Sequence, residues 1–339
     1  MTTKGRSCTR IGLAGGGSDI PEFFKENGGA VLNVGINIYS YTSMEPLFGC
    51  KYTEVISHDW GFSRKITNLD LEFNTNKKNN VDVVKAVMKH CGLNPKDGYR
   101  FIISSAAAKN SGLAGSSALL TSIMGSIYLY SNKPIINRAR LARDAIHIER
   151  EVLNRYGGNQ DQWASVFGGF NFIEFSKNET TICPLRFEND LLCELHSSML
   201  LFELPKSRKV SASIIEKKKI DNMKDNTENL IEIKECAYAM RHNIIRGDIE
   251  ALGQILECNW EAKKKMDSVS NKEIDYFHNV GITAGAFGGK LCGAGGGGNM
   301  FFICPLENRK NIISEMTKIG CKQLNFDFDQ MGLVAWRTD

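Results

Sequence analysis

Two stretches of this 339-residue chain hold side chains suited to moving a phosphoryl group. In KNSGLAGSSA, residues 109–118, glycines and serines lead into an apolar helical pattern. Free N–H groups at a helix N-terminus point towards an incoming anion, and the helix dipole adds to their pull. Ser116 and Ser117 bring hydroxyls for phosphate oxygens or a metal ion. The run is not a Walker A loop, since no Lys-Ser/Thr pair ends it. A plain Ser/Gly helix cap is the alternative. Further on, GGNQDQ at 157–162 presents Asp161 after a Gly-Gly turn, just before an apolar segment. A carboxylate there can orient or deprotonate a hydroxyl that attacks phosphorus. Glu149 and Glu151 precede it on a helical stretch, where glutamates are ordinarily solvated.

Two more glycine-rich runs flank these. In RIGLAGGGSD, residues 10–19, consecutive glycines allow close backbone approach and positive φ, with the Asp19 carboxylate beside them. A tight turn with Asp19 capping a helix over 20–26 is the alternative. No dinucleotide fingerprint follows. In KLCGAGGGGN, residues 290–299, four adjacent glycines are costly in chain entropy and predict that something passes close to the backbone. A flexible hinge would also use them.

The elements that must position these segments are legible as periodicities. Alternation over 31–45 predicts a half-buried strand, 79–91 a helix, and 99–104 a strand running into the serine-rich loop. Helices are predicted at 116–131 and from 137 to about 155, the latter carrying Glu149. Strands follow at 169–175, 181–186 and 197–204, and helices dominate 211–287, interrupted near 222–226. Strands at 299–304, 322–327 and 332–336 surround a helix over 308–319. This order predicts an α+β chain of two domains, 1–185 and 186–339.

In order and spacing, RIGLAGGGSD, SGLAGSSAL, IEREVLNRYGGNQDQWA and GGKLCGAGGGGN resemble the motifs of GHMP kinases. That superfamily comprises galacto-, homoserine, mevalonate and phosphomevalonate kinases, and the resemblance is strongest to its bacterial heptose 7-phosphate branch. It implies an N-terminal half like ribosomal protein S5 domain 2, a ferredoxin-like C-terminal half, and an active site between them. ATP phosphates would lie on Ser111, Gly112, Leu113, Ala114, Gly115, Ser116 and Ser117, with Mg2+ held by Ser117 and Glu149. Asp161 would be the catalytic carboxylate, with Arg10 near it and the γ-phosphate. Gly16, Gly17, Ser18 and Asp19 would meet the sugar, and Gly293, Gly295, Gly296 and Gly297 would close over substrate and phosphates. The implied reaction phosphorylates the anomeric hydroxyl of D-glycero-D-manno-heptose 7-phosphate, for the nucleotide-activated heptose of lipopolysaccharide or capsule. A kinase of an unphosphorylated sugar (fucose, galactose) and a non-catalytic ATP and sugar sensor stand as alternatives.

The chain departs from the family pattern in places. The proline-rich lead usual before the phosphate loop is AAAKN at 106–110, and Ala114 stands where glycine is commoner, its methyl group restricting φ. Heptose kinases carry Thr-Gly before a Ser/Thr-Arg pair; here Leu204-Pro205 comes before Ser207-Arg208. Arg208 is assigned to the substrate phosphate, with a solvated basic loop as the alternative.

A net charge of +4 over this length is not the broad basic field of a nucleic-acid binder. The expected partner is a small-molecule sugar phosphate, with neither nucleic acid nor membrane. The opening residues lack the apolar stretch of a signal peptide, and no run reaches the roughly 18 apolar residues that span a bilayer. Ten cysteines scattered singly, with no CxxC pair, suit reduced thiols in the cytoplasm. Oligomeric state is not legible.

Overall fold

The computed structural model describes residues 1–71, 80–133, 137–205 and 212–339. In the first half, β1 (Thr2–Ala14) leads through α1 (Pro21–Asn27) to the long β2 (Gly29–Pro46), then β3 (Thr53–Ser57), β4 (Phe62–Ile66) and α2 (Asn80–Cys91). Next come β5 (Tyr99–Ser105), α3 (Gly115–Tyr130), α4 (Arg138–His147), α5 (Gln160–Phe167), β6 (Phe170–Phe175) and β7 (Thr180–Leu185). The second half continues with α6 (Asn189–Ser198), β8 (Met199–Glu203), α7 (Ala212–Asp221), α8 (Met223–Arg246), α9 (Ile249–Lys264) and α10 (Lys272–Thr283). It closes with β9 (Gly288–Leu291), β10 (Asn299–Ile303), α11 (Arg309–Lys318), β11 (Lys322–Leu324) and β12 (Val334–Thr338).

One sheet runs β12-β1-β2-β5-β3-β4, with β6 and β7 branching from the first part of β2. A second, antiparallel sheet runs β11-β8-β10-β9. The division expected near residue 185 falls between β7 and α6, yet β12 returns to pair with β1 (Thr2↔Thr338). Among the described residues, no helix is long and apolar enough to cross a membrane.

The half-buried pattern expected over 31–45 holds only beyond Ile36. Residues 29–36 are buried on both faces, because α8 covers the side that would otherwise meet water. Leu32, Val34 and Ile36 pack with Ala237, Met240 and Ile244, whereas Val31 faces the opposite core with α3 and α5. The apolar cluster that includes α8 and α9 draws on strands of both sheets, such as Ile11, Phe172, Leu201 and Phe301. At roughly 25 cal/mol per Å² of apolar surface removed from water, that shared core holds the two halves against each other. Two expectations change. A short amphipathic helix, α6, precedes β8. The helix expected from 137 to about 155 is regular only to His147.

Candidate active site

Past His147 the chain widens into a π turn over Ile148–Val152, with Leu153 N donating to Ile148 O at 2.9 Å. Single π turns inside helices recur at functional sites because they redirect side chains. Here Glu149 turns inward and is buried, whereas Glu151 stays exposed beside His147. Only one of the paired glutamates therefore enters the site.

Glu149 ties the π turn to the start of α3. Ser116 Oγ donates to its Oε1 at 2.9 Å, and Ser117 Oγ and Gln162 Nε2 each donate to Oε2 at 2.7 Å. Arg155 Nη1 donates to Ser116 Oγ at 2.7 Å and lies 3.7 Å from Glu149. Burial pushes the Glu149 carboxyl upward, but Arg150, Arg155 and these hydrogen bonds outweigh it and hold the group at about 2. An ionised carboxylate beside a hydroxyl is an oxygen-only donor set, which fits a hard cation such as Mg2+ that keeps most of its shell as water and phosphate.

Arg10, near the end of β1, spans the cleft floor. Its Nε and Nη2 donate to Asp161 Oδ1 at 2.9 and 2.6 Å, and its Nη1 donates to the Gly112 carbonyl at 2.6 Å. Asp161 sits in the first turn of α5, and its Oδ2 has no hydrogen-bond partner among the described residues. Burial raises the Asp161 carboxyl above its ordinary value; Arg10 pulls it back and Asp19 adds to the rise.

Asp19 caps α5, not α1. Its Oδ2 accepts from Gln160 N and its Oδ1 from Gly17 N, both at 2.9 Å. The helix over 21–27 instead starts with Pro21 at its first position and no side-chain cap. A Cβ at Gly158 would lie 2.0 Å from Asp19 Oδ2, so glycine is required where the two segments meet. The first glycine motif thus fixes the turn that presents Asp161.

The third glycine segment rests on the phosphate loop. Asn299 N and Nδ2 donate to Ser111 O at 3.1 and 3.0 Å. A Cβ at Gly112 (φ +80) would come within 2.2 Å of Cys292 O, and one at Gly293 within 2.7 Å of Gly112 Cα. What passes close to these glycines is another backbone.

Arg10, Asp161, Asp19, Gly16, Gly17, Ser111, Gly112, Ala114, Gly115, Ser116, Ser117, Glu149 and Gly293 all border one cleft of about 770 Å³. Others of the expected set do not. Ser18 is buried, with its hydroxyl donating to Gly15 O and Ala30 O. Leu113 packs its side chain into the core and offers only its carbonyl, to Arg10 N. Gly295 and Gly296 lie on Val269, and Gly297 is outside the cleft lining. Arg208 lies outside the described residues.

Residues without a motif complete the cleft. Trp60 and Phe62 line it together with Ala107 and Lys109, giving flat surface for a planar ring. Lys219, Lys263 and Lys290 come from the second half. In the sequence, Lys290 heads the third glycine run and Lys219 ends the basic stretch 217–219 that continues the solvated-loop alternative; Lys219 is instead buried.

A helix N-terminus framed by hydroxyls, a carboxylate held by an arginine and a buried ionised carboxylate beside those hydroxyls suit phosphoryl-transfer chemistry. Residues 78–169 match the GHMP kinases N terminal domain and 240–322 match GHMP kinases C terminal. The D-glycero-alpha-D-manno-heptose 7-phosphate kinase of Campylobacter jejuni is 32% identical over 353 residues, spanning 99% of both chains. Among solved structures, a D-glycero-D-manno-heptose 1-phosphate kinase from Bacteroides thetaiotaomicron has a TM-score of 0.81 at 26% identity, covering 99% of each chain. The mevalonate kinase of Methanococcus jannaschii has a TM-score of 0.74 at 18% identity, covering 97% of this chain and 98% of that one, a likeness of fold. The chain belongs to the GHMP kinases, which use ATP as phosphoryl donor.

Proposed function

We propose that this kinase transfers the γ-phosphoryl group of ATP to the anomeric hydroxyl of D-glycero-D-manno-heptose 7-phosphate, giving the 1,7-bisphosphate and ADP. The observation that carries the substrate is the full-length match to the Campylobacter jejuni kinase of that sugar phosphate. In this reading the enzyme works in the cytoplasm and feeds nucleotide-activated heptose for lipopolysaccharide or capsule.

The residues divide the work. Backbone N–H groups at the start of α3 and the Ser116 and Ser117 hydroxyls receive the ATP phosphates, and Trp60 and Phe62 flank the base. Ser117 and Glu149 would hold Mg2+, which neutralises charge on the phosphates when bound. Arg10 faces the γ-phosphate while fixing Asp161. The free Oδ2 of Asp161 receives the proton of the anomeric hydroxyl as its oxygen forms the new bond to phosphorus and the bond to the ADP oxygen breaks. Asp19 and the Gly16–Gly17 backbone sit beside the sugar.

The solved relative named for heptose 1-phosphate raises a second acceptor, phosphorylated at carbon 1. ADP release by the purified protein with MgATP tests both. The panel holds heptose 7-phosphate, heptose 1-phosphate, unphosphorylated heptose, fucose and galactose. Turnover confined to the 7-phosphate is expected. Preference for the 1-phosphate moves the acceptor position, and preference for a neutral sugar overturns the phosphorylated substrate.

A further inference from the structure

Lys219 on α7, Lys263 on α9 and Lys290 on β9 are only 2–3% exposed, yet all border the cleft. Lysine is almost never so buried without a partner. Lys219 Nζ donates to Ala294 O at 2.8 Å and pairs with Glu216 at 3.2 Å. Lys263 Nζ donates to the Gly293 carbonyl. The Lys290 ammonium makes no hydrogen bond to any described residue. Each ammonium has three donors, so none of these lysines is saturated.

The charges do not balance. Arg10 faces Asp161 and Lys219 faces Glu216, whereas among the described residues neither Lys263 nor Lys290 forms a close ion pair with a carboxylate, Glu216 acting on Lys263 only from beyond ion-pair distance. Burial holds the Lys263 ammonium well below its ordinary range and pulls Lys290 to about 8, as unpaired buried cations require. Two amines without a carboxylate ion pair, whose protonated forms burial disfavours until an anion arrives, match a phosphate monoester, which carries about −1.5 to −2 charge at neutral pH.

The two sets of groups are carried by different elements, though both border one cleft. Ser116, Ser117, Glu149 and Arg155 all come from the first half, and the lysines all come from the second. One helical turn before Lys263 on α9, Asn259 Oδ1 accepts from Gly15 N at 3.2 Å, in the glycine motif assigned to the sugar. The helix that carries Lys263 therefore touches both the first and the third glycine segments.

We propose that Lys263 and Lys290, assisted by Lys219, bind the phosphate that the sugar acceptor already carries. The inference rests on the reading of the enzyme as a sugar-phosphate kinase, and it explains how a neutral sugar is rejected. Without that phosphate, buried ammonium donors stay unpaired, and sites built this way discriminate strongly against analogues that lack the group.

Lys290→Met and Lys263→Met test it. Each should lower kcat/KM for heptose 7-phosphate by about tenfold or more relative to unphosphorylated heptose, with MgATP affinity retained. Loss of MgATP affinity instead would assign the lysines to the nucleotide γ-phosphate and overturn the proposal. Equal loss on both sugars would confine them to holding the third glycine segment, which also overturns it. Lys290→Gln, which keeps a donor, serves if a methionine variant loses its cooperative melt; it should retain part of the sugar-phosphate preference. Titration of inorganic phosphate into protein saturated with MgADP separates this inference from the substrate assignment. Lysine-dependent phosphate binding without turnover of heptose 7-phosphate sinks the substrate and keeps the anion site. Absence of any lysine-dependent binding sinks the anion site, whatever the substrate.

Discussion

Arg10 directs two donors at one oxygen of Asp161, and the other oxygen has no partner among the described residues. A third donor reaches the carbonyl of Gly112 in the phosphate loop. One side chain thus sets the orientation of the carboxylate and its distance from the 111–117 loop.

Asp161→Asn keeps the shape of that arrangement and removes its basicity. Turnover is expected to fall by about 10²- to 10⁴-fold with ATP affinity retained. ADP-release assays over an ATP titration check this; wild-type rates would remove Asp161 from the proton's path.

The pH profile follows from the burial of Asp161. Its carboxyl is raised above the usual value, and it must be ionised to accept a proton. Activity should therefore fall, as pH falls, at a higher pH than for an exposed aspartate. Arg10→Met removes the charge that opposes the rise, so the acid limb of kcat/KM should move further up. An acid limb unmoved in this variant would assign it to another group.

Glu149→Gln should raise the magnesium concentration needed for half-maximal activity, and an unchanged magnesium curve would take Glu149 out of the metal site. The group also links stability to pH. Its folded value of about 2 lies below the ordinary 4.5, so its contribution is complete above pH 4.5 and is lost as pH falls towards 2. Acid denaturation of the glutamine variant should lack that component.

Gly112→Ala places a methyl carbon 2.2 Å from Cys292 O at a φ of +80. The third glycine segment must then lift from the phosphate loop, at a cost of about 1–3 kcal/mol. A lower melting temperature together with a higher ATP KM is expected; a variant that keeps both would show that the two loops do not need each other.

Ala114 adopts φ 67, ψ 28, a left-handed conformation that alanine pays for. Ala114→Gly should relieve about 1 kcal/mol of strain, partly offset by the greater freedom of glycine in the unfolded chain. Thermal unfolding should show a small net stabilisation, and a clear loss would mean that the methyl group packs usefully.

The parts of the site that share a short stretch of chain were legible in the sequence. Ser116 and Ser117 stand where the helix pattern begins, and Asp161 follows its Gly-Gly turn. What periodicity could not carry is direction. The regular spacing over 137–155 gives no sign of the π turn that separates Glu149 from Glu151. Nor does Asp19, next to a helix start, announce that it caps a different helix 141 positions away. The glycines at 295–297 were read as ligand contacts because flexible backbone suits both a ligand and a neighbouring chain, and Gly295 and Gly296 proved to serve the second. Lys219, Lys263 and Lys290 are far apart in sequence, and only tertiary packing brings them to one cleft.

The return of β12 to β1 bears on how the protein is made. Arg10 is carried by a strand whose edge at residues 2–6 pairs with residues 334–338. At the usual pace of translation, tens of seconds pass between the synthesis of these two segments. Throughout that time the nascent chain presents an open row of backbone donors and acceptors to its neighbours on the polysome. Heterologous production of this kinase should respond to chaperone supply and to growth temperature, and its soluble yield should fall first in chains cut short of residue 334.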